Sequence, residues 1–98
     1  MNVVEKEFFN KGYVRYGMFI FSKEVALEVI TRCKELNIRI LGIDTFLLIG
    51  RGIQPFQEYS PDYSYVDRHM DIWKKAQDFI ISTSNVNSLF VFEITMSQ

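Results

Sequence analysis

The sequence predicts an α+β domain: a single mixed or mostly antiparallel sheet of about four strands, with two amphipathic helices packed on it. Three observations carry this expectation. Apolar residues recur with helical period in two stretches, residues 22–36 and 67–81. Around them lie runs rich in β-branched and aromatic residues, at 13–21, 38–49, 53–59 and 89–94. The 98 residues suffice for one core and one domain, spanning 1–98. The order is roughly β-α-β-β-α-β, compatible with a split β-α-β arrangement.

In chain order, Val3, Val4, Phe8 and Phe9 share one face of a short N-terminal helix, and Asn10 to Gly12 reads as its stop. Tyr13 to Phe21 (YVRYGMFIF) reads as extended, with Gly17 marking a bulge or leaving a short strand. Ser22 is the expected N-cap of the first long helix, because its hydroxyl accepts a bond from an otherwise unpaired amide of the first turn. Glu24 suits that turn, where the positive end of the helix dipole favours an anion. Val25, Ala26, Val29, Ile30, Cys33 and Leu36 define the buried face. Asn37 tolerates the left-handed conformation and is the expected stop.

Ile38 to Ile49 is too apolar on both faces for a solvent-facing strand, which indicates an interior place in the sheet. Gly42 and Asp44 interrupt it, giving two short strands or one bent one with a bulge or a close backbone approach. Gly50-Arg51-Gly52 reads as a hairpin turn. It has neither the following helix nor the Lys-Ser/Thr of a phosphate loop. The return strand, Ile53 to Tyr59, contains Pro55, which cannot donate to a ladder, so it is expected at an edge or to stop early. Gln57 to Val66 is a loop. A second helix covers Asp67 to Ile81, with Ile72, Trp73, Ala76, Phe79 and Ile80 on its apolar face. Thr83 to Asn87 reads as a polar turn and Leu89 to Ile94 (LFVFEI) as the last strand.

Composition narrows the function classes. A net charge of −1 argues against a nucleic-acid binder, which normally shows a basic surface, and leaves room only for a local basic patch. The longest apolar stretch, Ile40 to Ile49, is broken by Asp44 and too short to span a bilayer. The opening MNVVEKEFFNKG has no apolar core of signal-peptide length, so a cytoplasmic location is the default. Cys33 is the single cysteine, which leaves no intrachain disulfide and no cysteine-based metal site. Nine Phe and five Tyr are more rings than so small a domain encloses, so some are exposed.

Few residues suggest chemistry. His69, the one histidine, has Asp67 and Asp71 two residues to either side, positions that do not face each other on a helix. Exposure on the polar helix face is expected. Cys33, on an apolar face without a neighbouring base, is expected to pack as a small hydrophobe. Asp44 is the one charge inside an apolar strand. Either it accepts backbone bonds beside Gly42, or it joins Arg39 or Arg51 in a polar cleft. The second possibility leads to an alternative function, a small-molecule-binding or enzymatic domain with a pocket around Asp44 and Arg39, Arg51 or His69.

The segment 56–67 is different. It combines Phe56, Tyr59, Tyr63 and Tyr65 with Glu58, Asp62 and Asp67, and holds no Lys or Arg. Tyr rings anchor interfaces, and uncompensated acids steer a basic partner. Glu58, Tyr59, Asp62, Tyr63, Tyr65 and Asp67 are therefore the expected partner-binding residues. The competing expectation is a loop folded onto the core, its rings covering a sheet edge. Lys74-Lys75 reads as an ordinary solvated helix face.

Taken together, ALEVI (Ala26–Ile30), a charged helix end and ILG-x-D (Ile40–Asp44) resemble the bacterial immunity proteins grouped as immunity protein 40. So do the Tyr-rich loop ending in Asp67, the amphipathic helix after it and the aromatic strand LFVFEI. The similarity spans roughly residues 17–95. Ile43 stands where members often carry a second Gly, and Tyr stands in the loop where they tend to have Trp. The resemblance implies a non-catalytic protein that binds and neutralises a cognate toxin domain in the cytoplasm, without a cofactor. A monomer or weak homodimer is expected, any self-association using the edge at Ile53–Tyr59.

Overall fold

The computed structural model describes residues 1–97. Its central strand, β3 (Ile40–Ile49), is apolar on both faces and lies inside a sheet, as the sequence predicts. It pairs antiparallel with β4 (Gly52–Phe56) on one side and with β5 (Val91–Met96) on the other. Gly50 and Arg51 form a two-residue hairpin loop between Ile49 and Gly52, with Gly50 at φ 58°. A positive φ at the first central position alone is the pattern of a type II′ turn. Pro55 sits in β4, at the sheet edge, where its missing N–H costs no ladder bond. The return strand also stops early, at Phe56 and not Tyr59, because Gln57–Tyr59 winds into a 3-10 turn.

The single four-stranded sheet is not formed. Residues 13–20 fold as their own hairpin, β1 (Tyr13–Arg15) against β2 (Met18–Ile20). The fold has two small antiparallel sheets, of two and three strands. Gly17 is no bulge: Tyr16 and Gly17 are the two central turn residues, with φ of 51° and 77°. Positive φ at both is the pattern of a type I′ turn. That turn reverses the chain, and Ser22 at once begins a helix. Only Phe21 is left to reach the larger sheet, through one isolated bridge to Phe92, with bonds of 2.7 and 2.8 Å. The bridge still sets directions. β2 and β3 run parallel with β5 between them, and β4 and β5 run parallel with β3 between them. Each pair is a split β-α-β unit.

The helices cover one face of the three-stranded sheet. Ser22 caps α2 (Lys23–Glu35), accepting from the Val25 amide, and Ala26, Val29, Ile30 and Cys33 are buried as expected. Leu36, expected on that face, is exposed. Asn37 takes φ 56°, while the Ile38 and Asn37 amides donate to the Cys33 and Lys34 carbonyls at 2.8 and 3.1 Å. This is a Schellman stop. The last helix, α3 (Ile72–Val86), begins five residues later than predicted and runs through the expected polar turn. Asp67 is diverted into a turn by accepting the His69 amide, so Asp71 becomes the N-cap, accepting from Lys74. Thr83 and Ser84, read as turn residues, are buried in the last helical turns. Asn87 then takes the Leu89 amide on its side chain, which delays β5 and leaves Leu89 exposed.

A short helix, α1 (Val3–Glu7), starts in a capping box between Asn2 and Glu5. It buries Val4, and Phe8 just after it is also buried, while Val3 and Phe9, expected on the same face, stay exposed. The main core joins Val4, Phe21, Val29, Ile30, Ile43, Ile72, Ile80 and Phe92. On the opposite face of the sheet Ile20, Phe46 and Val91 form a smaller cluster. Truncating a fully buried Ile such as Ile80 to Ala is worth about 2–5 kcal/mol, which shows how much of the stability rests on these contacts.

Candidate functional site

The Tyr-rich segment follows β4 and is pinned to β3 by its backbone. The Ile43 amide donates to the Pro61 carbonyl at 3.1 Å, and the Tyr63 amide donates to the Leu41 carbonyl at 2.8 Å. Gly42 lies between these bonds, where a Cβ would come within 3.2 Å of the Pro61 carbonyl oxygen. The close approach expected of Gly42 is thus made by the loop, and the register shift between Ile40 and Gly42 places a bulge there too.

Pinning divides the predicted residues. Tyr63 is drawn inward and is only 9% exposed; burial pushes its phenol up to about 12. It is a core residue, and its expected role as an exposed anchor is corrected. Tyr59 is half-buried, its ring 5.6 Å from that of Phe90, which also meets Phe56 at 5.0 Å. Phe56 and Tyr59 pack against the main core through Phe90, as the expectation of a loop folded onto the core had it. Tyr65 is the reverse case, 92% exposed on the turn beyond Tyr63.

The three acids of the segment are exposed. Glu58 lies in the 3-10 turn. Asp62 accepts from the Ser64 hydroxyl at 2.6 Å and the Ser64 amide at 2.9 Å, which hold its carboxyl below the usual aspartate value. Asp67 accepts from the His69 amide at 2.8 Å. None of the three is in an ion pair among the described residues. Their negative charge is thus free to act outward, with Tyr65 between Asp62 and Asp67 in sequence.

Asp44 has different company from that expected. It is half-buried on β3, directly across from Glu93 of β5. Desolvation raises the Glu93 carboxyl above the usual glutamate value, and the charges of Asp44 and Glu5 add to the effect. Neither arginine joins this group: Arg39 donates to the Val66 carbonyl at 3.4 Å, and Arg51 sits in the β3–β4 turn. His69 lies in an exposed turn before α3, not on a helix face. The polar cleft drawn around Asp44, Arg39, Arg51 and His69 is therefore not assembled. Nor does the Asp44 side chain bond to backbone at the bulge among the described residues.

The sequence reading misses a cleft of about 270 Å³ near this acid pair, lined by Met1, Glu5, Phe9, Val14, Met18, Phe19 and Glu93, with Gly17 and Ile94. One signal was available: Glu93 is the single charge in LFVFEI, the same criterion that picks out Asp44. Cys33 is fully buried, 3.6 Å from the Met96 sulfur, and desolvation pushes its thiol up to about 11. Its thiolate is suppressed at neutral pH, which suits a packing role.

No model of a known protein family matches this chain, and a search of curated proteins returns no match. No helix among the described residues is long and apolar enough to cross a membrane.

Proposed function

We propose that this chain is a non-catalytic immunity protein that binds and neutralises a cognate bacterial toxin domain. The observation that carries the reading is Tyr65, 92% exposed on a loop whose base is fixed to β3 by two backbone hydrogen bonds. A fixed base lets an exposed ring serve as an anchor at low entropic cost on binding. Glu58, Asp62 and Asp67 surround it in sequence with unpaired negative charge, complementary to a basic toxin surface. The sequence resemblance to immunity proteins supports the same role. On this reading the protein acts in the cytoplasm as a monomer or weak homodimer and uses no cofactor.

The alternative, a ligand or enzymatic pocket around Asp44, has less support. The group facing Asp44 is another carboxylate, and the arginines that would complete the pocket lie on other elements.

The reading is tested by co-expression with the toxin domain encoded immediately upstream. Wild-type protein is expected to restore growth. The variant carrying Glu58→Gln, Tyr65→Ala and Asp67→Asn is expected to fold normally and protect poorly. Full protection by that variant would remove the loop from the interface, and no protection by the wild type would contradict the function itself.

A further inference from the structure

We infer that the cleft between the end of α2, the start of β3 and the turn before α3 binds an oxyanion, a carboxylate or phosphate group, through Arg39 and Arg68. The cleft measures about 490 Å³ and is lined by Asn37, Arg39, Arg68, Trp73 and Ser97. That size lies within the range of small-ligand sites. Arg39 and Arg68 both line it, and neither is in an ion pair among the described residues. Of the acids nearest in sequence, Asp71 caps α3 and meets Lys34 at 3.7 Å, while Asp67 accepts the His69 amide and is in no ion pair among the described residues.

Arg39 is held in place from several directions. Its amide donates to the Ser97 hydroxyl at 3.0 Å, and its carbonyl accepts from the Ser97 amide at 2.9 Å. Its guanidinium spends one weak bond on the Val66 carbonyl, at 3.4 Å, and keeps the rest of its five donors. Arg68 is exposed, in the turn closed by the Met70 amide on the Asp67 carbonyl. Trp73 forms a rigid wall, because its indole N–H donates to the Ile38 carbonyl at 2.8 Å. The planar guanidinium fork matches the geometry of carboxylate and phosphate oxygens, and an anion in the cleft would supply the negative charge that neither arginine finds in an ion pair among the described residues. Oxyanion binding here needs no partner protein, although Arg68 directly follows Asp67 of the segment proposed to meet the toxin.

Trp73 is the only tryptophan in the chain and lines this cleft, so tryptophan emission comes from its wall. The full-length protein is titrated with inorganic phosphate and, separately, with N-acetylglutamate. Sodium chloride at matched ionic strength is the control. A saturable change in emission with at least one probe, absent with chloride, is the expected result. Saturation by phosphate alone supports a free phosphorylated ligand as the natural source; saturation by N-acetylglutamate alone supports an acidic side chain. Arg68→Gln, an exposed change that leaves the fold intact by circular dichroism, is expected to weaken binding about tenfold, the loss of one charged hydrogen-bonding group. Arg39→Gln is expected to do the same; if it fails to fold, Arg68→Gln decides alone. The inference is overturned if neither probe saturates into the tens of millimolar, if chloride reproduces the change, or if Arg68→Gln titrates like the native protein.

Discussion

Thr45 and Ser84 each bury a hydroxyl that has no hydrogen-bond partner among the described residues. A buried polar group left unpaired carries its desolvation cost uncompensated. Thr45→Val keeps the shape and deletes that group, so it is expected to raise stability by about 1 kcal/mol, read as a higher melting temperature. A lower melting temperature would mean that the hydroxyl is satisfied. The two loop tyrosines separate folding from binding. Tyr63→Ala empties a core site and is expected to cost about 3 kcal/mol in chemical denaturation. Tyr65→Ala is expected to change stability by less than about 0.5 kcal/mol, since an exposed ring gives up little on truncation. Equal effects would contradict the division of the loop into an inner and an outer ring. Glu93 adds a pH dependence. The folded protein holds a proton on Glu93 at higher pH than the unfolded chain, whose carboxyl titrates near 4.5. Stability contributed by this group is therefore greatest below that value and falls as pH rises through the raised one. Glu93→Gln is expected to be more stable than the native protein at neutral pH and to flatten this part of the stability profile. An unchanged slope in urea titrations across that window would show that Glu93 is not the group responsible.

At the scale of single elements, the legible features are those where one residue type has one physical use. Ser22 and Asn37 bound α2 where expected, because a hydroxyl cap and a left-handed stop are local devices. Pro55 marks the edge strand for an equally local reason. The start of α3 is not legible in the same way. Asp67 and Asp71 are both competent caps, and only the turn that consumes Asp67 decides between them. The N-terminal hairpin escapes for a similar reason: Tyr16 contributes half of its turn, and a non-glycine at φ 51° leaves no clear mark in the sequence. Tyr63 and Tyr65 cannot be told apart from composition, because what draws Tyr63 inward is the pairing of its backbone with Leu41. That pairing passes over Gly42, which gives it a test. Gly42→Ala brings a methyl to 3.2 Å from the Pro61 carbonyl oxygen and is expected to destabilise by about 1 kcal/mol while loosening the loop. Faster hydrogen exchange at the Ile43 and Tyr63 amides would show it. Exchange unchanged at both would mean that the loop is not held through this contact.

For the molecule as a whole, the α+β class follows from periodicity, but the number of sheets does not. Periodicity counts strand-like runs; it does not say how many residues of each find a partner. Here the outer hairpin packs Ile20 against Phe46 and Val91, yet its backbone pairing to the three-stranded sheet among the described residues is the one Phe21–Phe92 bridge. The same limit applies to the candidate site. The sequence shows which acids and rings share a segment, whereas the surface depends on which of them the backbone pairing turns outward. The molecule is a small scaffold whose two long helices cover one sheet face and whose β4–α3 connection exposes Tyr65, with the unpaired Asp62 and Asp67 to either side in sequence. Opposite in charge is the cleft of Arg39 and Arg68, reached from the same connection. Toxin neutralisation is tested most directly by calorimetric titration of the C-terminal domain encoded by the gene immediately upstream with the wild-type protein and with Tyr65→Ala. The expected result is tight one-to-one binding by the wild type and a loss of at least about tenfold in the variant, the effect of removing an interface anchor. Equal affinities would contradict the loop as the binding surface, and no heat of binding from a well-folded wild type would contradict toxin neutralisation itself.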